Sequence, residues 1–259
     1  MSSAASDFFG WLTGTSKSHP SALVWSRNFY YAAEMGTTVE KDASARILIV
    51  DDHPLFRDGL RQLIDRESGL SVCGEATEIE EALRLASETK PDLVIVDISL
   101  GNQSGIDLIR NLKLTDAELP VLVVSMHDES LYAERALRAG AMGYVMKHEP
   151  PKTFKVAIHS VLAGEMFLSA KMATSLVAKL MRGGKAQEQT PVGLLSDREL
   201  EVFHRLGQGK GTRQIAEELS LTVRTISSFR ARIKEKLQVK NSAELVLQAI
   251  RWVHEQPQK

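Results

Sequence analysis

Four short, mostly apolar runs, each stopping on a polar side chain, constrain this chain more than any other feature in it. Residues 47–50 (Ile-Leu-Ile-Val) stop on Asp51 and Asp52, 93–96 (Leu-Val-Ile-Val) on Asp97, 121–124 (Val-Leu-Val-Val) on Ser125, and 143–146 (Gly-Tyr-Val-Met) on Lys147. A weaker fifth run lies at 71–74. Such runs are short, rich in β-branched residues and lack the alternation of a strand with one wet face, so they predict strands buried on both faces. Helical patterns fill the gaps, at 54–66, 79–87, 105–112, 129–139 and 151–163. Strand alternating with helix predicts βαβ units with right-handed crossovers, an α/β fold built on a parallel sheet.

The text before and after this block differs. Residues 1–45 hold no persistent apolar period and predict a flexible extension; Phe8, Phe9, Trp11, Leu12 and the stretch 23–31 leave open a short docking helix. Beyond Gly164, residues 169–181 are amphipathic, and 182–192, with Gly183-Gly184, Gln and Pro, predict a linker. From 194 the pattern is helical throughout, near 197–206, 212–219, 223–237 and 242–254, and Ser196 with Glu199 forms a capping box before the first helix.

Composition excludes several classes. The 259 residues are 43% hydrophobic and 25% charged, a globular balance. The single cysteine, Cys73, excludes an internal disulfide framework and a multi-cysteine zinc site, and suits a reducing cytoplasm. No apolar run approaches the ~20 residues of a membrane helix, and the N-terminus lacks the basic start and apolar core of a secretory signal. We therefore expect a cytoplasmic protein without membrane contact. The net charge of −1 hides an asymmetry: residues 195–259 hold 12 Lys+Arg against 8 Asp+Glu, and the rest is net acidic. The tail is expected to meet something anionic.

In a parallel α/β sheet the ligand crevice lies outside the carboxyl ends of the strands. Asp51, Asp52 and Asp97 are expected to converge there, with Ser125 and Lys147 beside them. Three carboxylates so close repel one another and need a cation. An oxygen-only set, with no His or Cys cluster nearby, favours Mg²⁺. A carboxylate, a metal, a lysine and a hydroxyl are the parts of a phosphoryl-transfer site. Asp97, on the most central strand, is the expected nucleophile. Asp51 and Asp52 would hold the metal with the Ser99 backbone carbonyl, while Lys147 and Ser125 meet phosphoryl oxygens.

Residues 46–165 resemble the receiver domain of response regulators. The matching text is Ile-Val-Asp-Asp-His-Pro at 49–54, Val-Asp-Ile-Ser-Leu at 96–100 with Gly105 following, Val-Val-Ser-Met at 123–126, and Gly-Tyr-Val-Met-Lys at 143–147 with Pro150 close behind. The resemblance implies a doubly wound, five-stranded, flavodoxin-like parallel sheet of order 2-1-3-4-5, with the phospho-acceptor at Asp97, the acidic pair at Asp51 and Asp52, the switch hydroxyl at Ser125, the switch aromatic at Tyr144 and the lysine at Lys147. It also implies a cis peptide at Lys147–His148, and places Ser99 and His127 where relatives tune autodephosphorylation. Many members carry Pro four residues after the acceptor; this chain carries Gly101, which is expected to loosen the loop.

In the tail, 214–222 (Gln-Ile-Ala-Glu-Glu-Leu-Ser-Leu-Thr) look like the first helix and turn of a helix-turn-helix, with Ile215, Leu219, Leu221 and Ile226 as core. The next helix carries Arg224, Arg230, Arg232, Lys234 and Lys236, suited to phosphates around the major groove. With 195–202 (Leu-Ser-Asp-Arg-Glu-Leu-Glu-Val), Gly209, Thr225-Ile226 and Lys236-Leu237, residues 194–255 resemble the LuxR-type DNA-binding domain. Where many relatives carry Lys-x-His after Thr225-Ile226, this chain has Ser227-Ser228-Phe229. The resemblance implies base-facing roles for Ser227, Ser228 and Ala231 beside Thr225, and phosphate contacts from Arg224, Arg230 and Lys234. Small polar and apolar side chains discriminate bases weakly.

Together the resemblances imply the NarL/FixJ class of transcription regulators, with an N-terminal extension (1–45), a receiver (46–165), a linker helix and linker (166–193) and a small all-α DNA-binding domain (194–259). They imply a sensor histidine kinase as phosphoryl donor, double-stranded DNA as ligand, and a homodimer when phosphorylated. The chain is expected to be a phosphoryl acceptor with Mg²⁺-dependent self-phosphorylation and autodephosphorylation, not a turnover enzyme. Two alternatives stay open: a hydrolase with an aspartyl-phosphate intermediate, and a scaffold whose receiver works without phosphorylation.

Overall fold

The computed structural model describes residues 44–101, 103–181 and 191–255. The extension expected over 1–45 and the linker expected over 182–192 fall almost wholly outside the described residues.

Each sequence run becomes a strand: β1 (Ala45–Val50), β2 (Leu70–Ala76), β3 (Leu93–Val96), β6 (Val121–Ser125) and β7 (Gly143–Met146), with two further short strands, β4 (Ser99–Leu100) and β5 (Gln103–Ser104). The five longer strands form one parallel sheet in the order β2-β1-β3-β6-β7, the doubly wound order expected. Helices α1 (Pro54–Asp65), α2 (Ile79–Thr89), α3 (Gly105–Thr115), α4 (Glu129–Arg138) and α5 (Pro151–Leu162) alternate with them. Successive strand residues point to opposite faces. Ile47, Ile49, Ile95, Leu122 and Val124 therefore pack on Leu60 and Ile64 of α1 and on Phe154 and Ile158 of α5. Leu48, Val50, Val94, Val96, Val121 and Val123 pack on α2, α3 and α4 through Ala82, Ile106, Ile109, Tyr132 and Ala136. Each such large side chain, fully buried, stabilises the fold by about 1.5–3 kcal/mol.

Beyond the sheet lie α6 (Ala170–Met181), a 3₁₀ turn (Pro191–Leu194), and α7 (Asp197–Gly207), α8 (Thr212–Glu218), α9 (Val223–Lys236) and α10 (Ser242–Glu255). The capping box at Ser196 is present, with both reciprocal bonds to Glu199 made. Leu200, Phe203, Ile215, Ile226, Ile233, Leu245 and Ala249 form the core of this helical unit, and that core is continuous with the α2–α4 side of the sheet. Among the described residues no helix is long and apolar enough to cross a membrane.

Two features depart from expectation and a third adds to it. The chain after Asp97 is not a plain loop: β4 and β5 pair antiparallel across Gly101, whose φ of +54° no proline can adopt. The described peptide bonds are all trans, Lys147–His148 included; for a non-proline pair trans is favoured by about 3 kcal/mol. The outer margin of β7 is also occupied. Tyr144 N–H donates to Phe167 O at 2.9 Å and Phe167 N–H to Met142 O at 3.0 Å, so the chain leaving α5 runs alongside the last strand.

Candidate functional site

The parallel order brings Asp51, Asp52, Asp97, Ser125 and Lys147 to one end of the sheet. Asp51 and Asp97 are buried. Lys147 Nζ stands 2.7 Å from Asp97 Oδ2 and 2.7 Å from Asp51 Oδ2, and lies over the Phe56 ring. Asp52 is more exposed and accepts the Gly101 N–H at 2.7 Å through Oδ2. Gly105 explains how α3 starts so close to the end of β3: a Cβ there would sit 1.9 Å from the Asp97 carbonyl oxygen. Burial pushes the Asp97 carboxyl above its ordinary range; Lys147 pulls it back, and the charge on Asp51 adds to the rise.

His53 also joins this cluster, and the expectation of an oxygen-only site is corrected by it. Its Nδ1 lies 2.7 Å from Asp52 Oδ1, 3.3 Å from Asp51 Oδ1 and 3.7 Å from Asp97 Oδ2. The Asp-Asp-His order was visible in the sequence, but an Asx turn at Asp51, whose Oδ1 accepts the His53 N–H at 2.8 Å, is what folds the ring back over the acids. One buried carboxylate atom, Asp97 Oδ1, has no hydrogen-bond partner, Asp52 Oδ1 faces the His53 ring, and one donor atom from each of Asp51, Asp52, His53 and Asp97 falls within 4.8 Å of the others. Buried acceptors without donors are what a bound cation satisfies. The residues fit a divalent ion.

Ser125 is fully buried at the end of β6, and its Oγ accepts the His127 N–H at 3.3 Å. Tyr144 points inward, 1% exposed, and donates to the His127 carbonyl at 2.8 Å. His127 is therefore held on both sides by the expected switch residues. Its Nε2 lies 2.6 Å from Ser99 Oγ, and its ring packs on Tyr132. Burial lowers the His127 pKa, against the upward pull of Glu201 and Asp97.

No sequence pattern points to what lies on the other side of Ser99 and His127. Arg198, in the first turn of α7, is 7% exposed. Its guanidinium donates to Ser99 Oγ at 3.1 Å, to the Gln103 carbonyl at 3.1 Å, to Glu201 Oε2 at 2.6 Å and to the Gly101 carbonyl. Glu201 Oε1 lies 3.4 Å from His127 Nε2. Alongside, Asp197 accepts from Ser104 Oγ at 3.1 Å and from Arg135 at 2.9 Å, and Arg135 also caps the Leu195 carbonyl at 2.8 Å. An Arg beside a capping box reads as a solvated charge, which is why this contact escaped the sequence.

On α9 the expected DNA-facing residues separate by environment. Arg224, Ser227, Ser228 and Ala231 are exposed and share one face by their spacing. Ser227 and Ser228 donate to the Val223 and Arg224 carbonyls of their own helix, at 2.8 and 3.1 Å. Thr225 is partly buried and closes the helix cap with Thr222. Lys234 is partly buried, and Arg230 is drawn back to Thr212, tying α9 to α8. Thr225, Phe229 and Arg232, on another face, line the cleft of about 900 Å³ that opens toward α3 and α4.

A family model described as response regulator receiver domain matches residues 47–159, and one described as bacterial regulatory proteins, luxR family, matches 193–249. The response regulator GacA of Pseudomonas aeruginosa is 32% identical over 206 residues, spanning 80% of this chain and 95% of that protein. The oxygen regulatory protein NreC of Staphylococcus aureus is 33% identical over 212 residues, spanning 80% and 97%. A solved LuxR-family two-component response regulator from Aurantimonas sp. SI85-9A1 is 39% identical with a TM-score of 0.50, covering 53% of this chain and 99% of that one. RcsB from Salmonella enterica serovar Typhimurium, bound to promoter rprA with the phosphomimetic BeF3-, shares the fold at 24% identity and a TM-score of 0.50, covering 79% and 97%.

Proposed function

Because the chain belongs to the response regulators that join a receiver domain to a LuxR-type DNA-binding domain, we propose that Asp97 is its phospho-acceptor and that a phosphoryl group there governs DNA binding by α9. The observation that carries the reading is the buried Asp97 carboxylate, 2.7 Å from Lys147 and with one oxygen unpartnered.

An Asp97 oxygen attacks phosphorus while the bond from phosphorus to the imidazole nitrogen of the kinase's phosphohistidine breaks, and the released nitrogen keeps the bonding pair. Lys147 already neutralises the nucleophile's side of the crevice and stays beside the new phosphoryl oxygens. Ser125 Oγ accepts the His127 N–H and its hydroxyl also pairs with the Tyr144 side chain, so meeting a phosphoryl oxygen would turn it away from that ring. Asp51, Asp52, Asp97 and the Ser99 carbonyl would hold Mg²⁺, with His53 at the rim; a bound Mg²⁺ supplies charge neutralisation at the phosphoryl oxygens. A phosphoryl group is strongly charged, and Ser125 turning toward it withdraws the support of the His127 N–H, which loosens the segment leading to α4. The chain thus accepts and later loses a phosphoryl group without turning over a substrate of its own.

At the other end, Arg224, Ser227, Ser228 and Ala231 form the face offered to the major groove, joined by Thr225, with Arg230 and Lys234 reaching phosphates from its flanks. Two copies on two half-sites suit a pseudopalindromic operator. The domain limits follow the same reading: receiver 46–165, linker 166–193, DNA-binding domain 194–259, with 1–45 as an extension.

Incubation with acetyl phosphate and Mg²⁺, followed by intact mass, tests the assignment. The wild type gains one phosphoryl mass and Asp97→Asn gains none; an equal gain in the variant overturns it.

A further inference from the structure

In the proposed chemistry His53 stays at the rim, yet its ring is built into the crevice. Its main chain is fixed on two sides: the N–H donates to Asp51 Oδ1 at 2.8 Å, and the carbonyl accepts the Arg57 N–H at 3.0 Å. Pro54 follows, and a residue before proline is held to the extended region that His53 occupies, at φ −93° and ψ 104°. Nδ1 thus stands among acids before any ion arrives, 2.7 Å from Asp52 Oδ1, 3.3 Å from Asp51 Oδ1 and 3.7 Å from Asp97 Oδ2. One oxygen of each acid is already held by the protein: Lys147 takes Oδ2 of Asp51 and of Asp97, and the Gly101 N–H takes Oδ2 of Asp52. Asp97 Oδ1 is left buried without a partner, on a side chain only 3% exposed. A ring nitrogen carries one hydrogen at most, so a hydrogen bond from Nδ1 serves one of these acids and leaves Asp97 Oδ1 unanswered. An ion is shared by all of them. Ligands about 2.0–2.1 Å from one ion stand about 3.0–3.4 Å apart, and the distances from Nδ1 bracket that spacing.

We propose that His53 Nδ1 is a metal ligand, and that it gives the crevice a preference for imidazole-favouring divalent ions, of the Co²⁺, Ni²⁺ and Zn²⁺ kind, over Mg²⁺. This rests on the reading of the crevice as a cation site. The chemistry separates the two ion classes. Mg²⁺ prefers oxygen and keeps several waters, so the aspartates suffice for it and the ring gains nothing by turning to it. A later first-row ion gains from an imidazole nitrogen. Nδ1 offers its lone pair when the ring hydrogen sits on Nε2, and a side chain 60% exposed lets water serve that hydrogen. His53 therefore decides which ion the three acids hold, and a transition ion at low concentration competes with Mg²⁺ for them.

The test uses the full-length chain stripped of metal, with Mg²⁺ and Co²⁺ as separate titrants in calorimetry and the visible absorption of bound Co²⁺ as a second readout. The wild type is expected to bind Co²⁺ at least about tenfold more tightly than Mg²⁺, with excess Mg²⁺ displacing it. His53→Gln keeps a polar side chain at the rim and removes the imidazole. Its Co²⁺ affinity is expected to fall at least about tenfold, the scale on which even the outer partners of metal ligands act, while its Mg²⁺ affinity moves by less than about twofold. Its Co²⁺ band moves to longer wavelength, because imidazole is a stronger-field ligand than oxygen. Unchanged Co²⁺ affinity in His53→Gln overturns the proposal. Equal changes for both ions also overturn it, since they mark a structural or purely electrostatic role for the ring. Asp52→Asn locates the ion: Co²⁺ binding is expected to weaken there, and undiminished binding places the ion on other histidines and overturns the proposal. A wild type that binds neither ion overturns the cation reading of the crevice itself, whereas Mg²⁺ binding without a preference for Co²⁺ overturns only the role of His53.

Discussion

Lys147 and Asp97 form a 2.7 Å ion pair in which both side chains are almost fully enclosed, 4% and 3% exposed. The same ammonium serves Asp51 at the same distance, so one cation compensates two buried carboxylates. Lys147→Met removes it. We expect a loss of about 3 kcal/mol in stability, the cost of leaving buried charge uncompensated. Millimolar Mg²⁺ is expected to recover part of that loss, because a bound cation takes over the compensation. Denaturant melts with and without Mg²⁺ check both; a variant as stable as wild type in the absence of the ion contradicts the pairing.

The pH dependence follows from the sign of the Asp97 shift. Burial raises its folded pKa above the unfolded value, with Lys147 opposing. Its contribution to stability is present below the unfolded pKa and is lost as pH rises through the folded one. The native crevice disfavours the ionised carboxylate that neutral pH favours in the unfolded chain. Asp97→Asn is therefore expected to melt higher than wild type at pH 7, and the gap is expected to close on acidification. A gap that widens as pH falls would falsify the shift.

Gly105→Ala places a methyl group against the Asp97 carbonyl, where the Cβ position lies 1.9 Å from the oxygen. Neither backbone can yield cheaply, since Gly105 N–H also bonds the Ile98 carbonyl at 2.7 Å. We expect destabilisation of about 2–4 kcal/mol and loss of acetyl-phosphate labelling. Thermal melts and intact mass read the two effects; labelling at the wild-type rate rules out so close an approach.

On α9, Arg224→Ala is expected to weaken operator and random DNA alike and to reduce the slope of log affinity against log salt by about 1. Ser227→Ala and Ser228→Ala are expected to cost less than about 1 kcal/mol each, because their hydroxyl hydrogens are already committed to Val223 and Arg224 carbonyls. Fluorescence anisotropy at several salt concentrations distinguishes these outcomes. A large, sequence-selective loss at either serine assigns it a direct base contact instead.

The strands around Asp51, Asp97, Ser125 and Lys147 were legible because continuous burial leaves a continuous apolar run, and because a parallel sheet sends all their ends one way. β2 was weaker in the text since its middle, around Gly74, is only half-buried and interrupts the apolar run. The β4–β5 pairing was hidden because two-residue strands carry no period. His53 lay beside the acids in the sequence, yet its place depends on a turn hydrogen bond. Arg198, Glu201 and Asp197 were illegible for a different reason. Their partners lie about a hundred residues away at Ser99 and Ser104, or some sixty to seventy away at His127 and Arg135, and local patterning does not encode such contacts.

The backbone pairing of Phe167 with Met142 and Tyr144 closes one border of the sheet. An open border is a template on which any passing extended chain can nucleate aggregation, and regulators working at high local density on DNA are exposed to that hazard. Here the chain's own continuation toward α6 fills the place, so recruitment of a foreign strand to β7 first requires peeling that segment away. The other border, β2, is left as the sheet's single invitation to strand exchange among the described residues.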